Sequence, residues 1–86
     1  MPFLNNEDII NFHRVCMKYK LTPRELQIVL DLIQCITDTR DIARVNGISV
    51  KTVKTHLSNI YLKTNTHDRL ELALKFVDEM FDIYKK

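Results

Sequence analysis

The side chains in this sequence with the clearest chemical use are neither nucleophiles nor paired acids but a row of lysines and hydroxyls. Residues 49–64 read S-V-K-T-V-K-T-H-L-S-N-I-Y-L-K-T. Wound as a helix at about 100° per residue, they put Lys51, Thr55, Ser58 and Leu62 on one side. Lys54 lies on one flank of that row, and Thr52, Asn59 and Lys63 lie on the other. No acid stands among them. Ammonium groups and short hydroxyl and amide donors suit phosphate oxygens and base edges, so the chemistry on offer is recognition of a polyanion. An ordinary solvated helix face has the same look when taken alone; the surrounding sequence decides for the first reading.

Catalysis has no comparable support. His13, His56 and His67 fall on different segments, and there is no Gly-rich phosphate loop and no nucleophile motif, so the chain is read as a non-enzyme without catalytic residues. Histidine beside an apolar stripe, as His13 and His56 are, is more often packed than reactive. Cys16 and Cys35 stand apart from each other and from any CxxC or His pair. They read as reduced, partly buried thiols, and no metal or cofactor is expected.

The elements that hold the row in place are helices. One Gly and two Pro against 45% hydrophobic residues leave little room for hairpins, and alternating β-branched runs are absent, so the fold class is all-α. Val53, Leu57, Ile60 and Tyr61 form the core stripe opposite the lysines. Ser49 caps their helix only two residues after Asn46-Gly47 ends a short helix over 40–46, whose Ile42, Ala43 and Val45 face inward. Two helices on so tight a turn make a helix-turn-helix. Asn65 takes the left-handed cap at the far end. Upstream, Thr22-Pro23-Arg24-Glu25 combines N-cap, first-turn Pro and capping box. The helix it starts is the most buried, with Leu26, Ile28, Val29, Leu30, Leu32, Ile33 and Ile36 inside and Gln27, Asp31 and Gln34 as a narrow wet strip. A first helix capped by Asn5 or Asn6 carries the stripe Ile9, Phe12, Cys16 and Tyr19. The last helix, over 68–84, carries a core stripe of Leu70, Ala73, Leu74, Val77, Phe81 and Tyr84. It also has a second apolar stripe, Leu72, Phe76 and Ile83. That second stripe meets the first helix, is left exposed, or pairs two subunits.

Eighty-six residues make one small domain with a marginal core, which favours a homodimer. Net charge is only +2, but its distribution is uneven: residues 42–67 hold no Asp or Glu and include Arg44, Lys51, Lys54 and Lys63. With no apolar run near 18 residues and no leader, the chain is expected to be cytoplasmic and off the membrane.

These features resemble the LuxR/GerE-type helix-turn-helix family of bacterial transcriptional regulators. The resemblance rests on L-T-P-R-E at 21–25, D-I-A-R at 41–44, G-I-S at 47–49, T-V-K-T-H-L-S-N-I-Y at 52–61 and D-R-L-E-L-A at 68–73. It implies four family helices over 21–86 after an extra helical extension over 1–20. The third family helix, about 50–64, would enter the major groove of double-stranded DNA, and the fourth would pair subunits. Carried over by position, Lys54, Thr55 and Ser58 face the bases. Ser49, Lys51 and Thr52, with the start of the preceding helix, neighbour phosphates, and Asn59 and Lys63 are grouped with them. Leu72, Phe76 and Ile83 are the candidate dimer contacts. RNA polymerase or a regulatory domain is a further candidate partner. Five kinds of departure stand out: Cys35 for the usual Gly, a stretch from Ile36 to Arg40 one residue longer than the common spacing, Asp38 near a phosphate, polar Asn46, Thr64 and Thr66 at apolar positions, and Leu62 at a polar or basic one. The expected function is a sequence-specific DNA-binding regulator; the alternative is a helical protein-interaction module that keeps the fold.

Overall fold

The computed structural model describes residues 4–82, with the side chain of Asp82 left aside. They form five helices and, among the described residues, no strand: α1 (Asn6–Lys18), α2 (Pro23–Ile33), α3 (Thr39–Asn46), α4 (Val50–Thr64) and α5 (Arg69–Asp82).

Each helix begins where a short polar side chain takes up amides that the first turn leaves unpaired. Asn5 and Asp8 form a reciprocal capping box, with Asp8 N donating to Asn5 Oδ1 at 2.8 Å and Asn5 N to Asp8 Oδ2 at 3.2 Å. Thr22 and Glu25 do the same for α2, ahead of Pro23. Asp38 accepts from Arg40 N, Ser49 from Thr52 N, and Asp68 from Glu71 N. The chain leaves helical geometry through left-handed residues at Lys20, Cys35, Gly47 and Asn65. Gly alone enters that region without a Cβ penalty. The φ of 70° at Cys35 therefore explains why Gly is usual at this position.

All five helices contribute to one core: Phe12, Val15 and Cys16 from α1; Ile28, Val29 and Leu32 from α2; Ile42 and Ala43 from α3; Val53, Leu57 and Ile60 from α4; and Leu72, Phe76 and Met80 from α5. Phe76 sits between Phe12 and Tyr19, with ring centroids 5.8 and 5.9 Å away. Burial pushes the Cys16 thiol up to about 12, so it remains protonated as a small apolar group.

Four assignments from sequence change. On α5 the two apolar stripes exchange roles. Leu72 and Phe76 are fully buried, at 0% exposure, because α1 lies across them, so they are core residues and not dimer contacts. Ile83, the third residue of that group, and Tyr84 lie outside the described residues. Leu70 and Leu74, assigned to the core, are 69% and 60% exposed. On α1, Asp8 and Asn11 are buried while Ile9 and His13 are exposed, a rotation of the stripe that follows from the Asn5–Asp8 box at its start. Val45 of α3 points outward.

The fourth change is Asp31, which is buried rather than wet. It accepts from Gln27 Nε2 at 3.1 Å and from Asn46 Nδ2 at 2.8 Å. The same Asn46 amide nitrogen donates to Ile42 O, and its side-chain and main-chain oxygens accept from Arg24. Asn46 thus stands at a usually apolar position because Asp31 is its partner. Thr64 and Thr66 are likewise buried and paired: Thr64 Oγ1 donates to Ile60 O at 2.8 Å, and the two hydroxyls lie 2.9 Å apart. Among the described residues no buried side-chain nitrogen or oxygen lacks a partner, so these polar insertions avoid the cost of a dry, unsatisfied group.

Candidate nucleic-acid interface

The inner face of α4 is fixed by Val53, Leu57 and Ile60, which leaves Lys51, Thr52, Lys54, Thr55, Ser58 and Asn59 exposed on the outside. Among the described residues no carboxylate forms an ion pair with Lys51 or Lys54. Helices α1, α2, α3 and α5 each carry an acid in the first turn, and α4 carries none. Its positive dipole end is therefore left for an external anion.

At that end Ser49 Oγ and Thr52 Oγ1 are 2.8 Å apart, and Ser49 Oγ also accepts from Thr52 N. One of the two hydroxyl hydrogens is used in their mutual bond, and the other is left to donate outward. Thr55 Oγ1 donates to Lys51 O at 3.1 Å, which fixes its rotamer and keeps the hydroxyl an acceptor. Lys54, Thr55 and Ser58, expected from sequence to face bases, and Ser49, Lys51, Thr52 and Asn59, expected beside phosphates, lie on α4 and its N-cap, all exposed.

Lys63 does not join them. Its ammonium is 2.6 Å from Glu25 Oε1 and also donates to Lys20 O, binding the end of α4 to the start of α2. Burial opposes the Glu25 carboxylate, but the Lys63 ammonium and the Thr22 amide outweigh it and hold its pKa below the ordinary value. Lys63 is a structural ion-pair partner, which corrects its assignment to a phosphate. The start of α3, expected near a phosphate, carries a capping carboxylate. The Arg40 amide holds the Asp38 carboxylate below its usual range, and the Arg40 guanidinium lies 3.7 Å from it. Sequence reasoning missed the Lys63–Glu25 pair, because partners 38 residues apart are brought together only by folding.

A second surface feature is an apolar groove of about 420 Å³ between the end of α2 and the outer side of α5, walled by Leu32, Ile33, Cys35, Leu70, Leu74 and Val77. Among the described residues no helix is long and apolar enough to cross a membrane, and no His, Cys, Asp and Glu cluster is placed to hold a metal.

The sequence model of bacterial regulatory proteins of the luxR family matches residues 19–76. The chain belongs to the LuxR family. The match takes in α2, α3, α4 and the first half of α5, and leaves all of α1 outside. Curated relatives include the response regulator protein VraR of Staphylococcus aureus strain NCTC 8325, of Staphylococcus saprophyticus and of Staphylococcus epidermidis. Each is 43% identical over 54 residues, covering 63% of this chain and 25% of the relative. The chain thus spans about a quarter of the length of these relatives. No solved structure matches it. Within the LuxR family the matched segment is a DNA-binding, non-catalytic helix-turn-helix module of transcription regulators.

Proposed function

We propose that this chain is the sequence-specific DNA-binding part of a transcription regulator, with α4 lying in the major groove of double-stranded DNA. The observation that carries the reading is the outer face of α4. It is exposed, cationic, rich in hydroxyl donors and free of acid in its first turn, while the inner face is locked in the core. Lys54, Thr55 and Ser58 stand nearest the base edges. Lys can donate to guanine N7 and O6, Ser pairs with several edges, and Thr55, with its hydrogen committed to Lys51 O, offers an oxygen acceptor and a methyl group. Ser49, Lys51, Thr52 and Asn59 serve phosphates.

The reading includes a twofold pair of subunits, with contact through Leu70, Leu74 and Val77 in place of the buried Leu72 and Phe76. The same groove beside α2 favours the second reading, a protein-interaction module that keeps the fold and meets another regulator there. Selection of bound duplexes from random DNA separates the two. A defined sequence with paired half-sites supports the first reading, and no enrichment from a folded sample supports the second.

A further inference from the structure

Leu62 is the most exposed large apolar side chain of the described residues, at 82%. It lies on the line Lys51, Thr55, Ser58, Leu62, spaced four, three and four residues apart, the repeat of a single helix face. The first three members of that line are in the proposed contact with DNA. At 1.5 Å per residue Leu62 is about 6 Å beyond Ser58 along α4, roughly two base-pair steps of 3.4 Å. The helix continues unbroken through it to Thr64. On the buried side of this end Thr64 Oγ1 donates to Ile60 O and lies 2.9 Å from Thr66 Oγ1, so the inner positions are already filled by paired hydroxyls and Leu62 stays outside.

An isobutyl group at this place has no use for a phosphate, and leaving it in water wastes apolar area. One apolar feature exists on the floor of a major groove, the C5-methyl group of thymine. We propose that Leu62 is a specificity residue that reads a thymine methyl at the outer edge of the half-site, beyond the bases met by Thr55 and Ser58. The inference rests on the major-groove reading of α4 and deepens it. Selectivity at that base pair comes from apolar contact rather than from a hydrogen bond. It discriminates thymine from uracil, which carries the same hydrogen-bonding groups without the methyl.

The test uses the duplex that the parent protein selects from random DNA. Each thymine in a half-site is replaced in turn by deoxyuridine, and binding is measured for the parent, Leu62→Ala and Leu62→Lys. For the parent, one thymine at the outer edge should lose about fourfold in affinity on replacement, the ratio that corresponds to burial of one carbon at ~0.8 kcal/mol. Leu62→Ala should abolish that penalty and leave any penalty due to Thr55 unchanged. Leu62→Lys should also abolish it, while steepening the salt dependence by about one unit. Uracil penalties that are the same in the parent and in Leu62→Ala at every position overturn the proposal and leave the DNA reading standing. Failure of the folded parent to select any duplex overturns both.

Discussion

At the scale of single residues, the lysines of α4 divide by what already holds them. Among the described residues Lys51 meets no carboxylate, whereas Lys63 is paired with the buried Glu25. Lys51→Ala should therefore weaken DNA binding with little effect on folding. Lys63→Met should cost about 1.5–3 kcal/mol of stability, the range for a hydrogen bond to a charged group. The pH dependence follows from the lowered pKa of Glu25. Its contribution is fully present above the unfolded value of about 4.3 and is lost as pH falls through the lower folded value. Urea midpoints for parent and Lys63→Met should differ at neutral pH and converge in acid, and a constant difference would mean that the pair is idle. Cys35 is strained for a different reason, since it carries a Cβ at φ 70°. Cys35→Gly should raise stability by about 0.5–1 kcal/mol, and an unchanged or lower melting temperature would show that the left-handed backbone at this exposed residue costs nothing net.

At the scale of elements, helix starts were legible because their signals are local. Thr22 with Pro23 and Glu25, Ser49 after Gly47, and Asn5 with Asp8 each act within four residues. Thr22→Ala and Ser49→Ala should each cost about 0.5–2 kcal/mol in thermal or urea unfolding. The start of α3 offers a gain instead. Asp38→Ser keeps a capping oxygen but removes the anion beside the DNA face, so affinity should rise severalfold at equal stability. An unchanged affinity would place α3 away from phosphate. The stripe of α5 was misread because both of its sides are apolar, and periodicity alone does not say which one a neighbour covers. Met80 continues Leu72 and Phe76 at the spacing of four, and with α1 laid across them these three complete the core. Asp31 was misread as wet because its partner, Asn46, belongs to another helix and comes close only in the folded chain. The outer row of α4 was legible because its inner stripe, Val53, Leu57 and Ile60, is strictly periodic and fixes the helix's rotation.

At the scale of the whole molecule, α1 lies outside the family match yet supplies Phe12, Val15 and Cys16 to the common core. Tyr19, just beyond its end, hydrogen-bonds Glu79, and Lys18 pairs with the same carboxylate at 2.7 Å. By covering Leu72 and Phe76, α1 leaves, among the described residues of α5, the Leu70, Leu74 and Val77 side open for the proposed second subunit. Leu74→Asp should turn a dimer into a folded monomer in sedimentation. Phe76→Asp should unfold the domain, since it buries an unpaired charge. A dimer indifferent to Leu74→Asp would move the interface elsewhere. The central claim is that the outer face of α4 binds double-stranded DNA, and a salt titration of binding for parent and Lys51→Ala tests it most directly. The parent should show a log–log slope of a few units per subunit between about 50 and 200 mM salt, and Lys51→Ala should flatten it by about one, each neutralised phosphate releasing about 0.9 counterion. A folded parent with no salt-dependent binding to duplex DNA even near about 50 mM would contradict it.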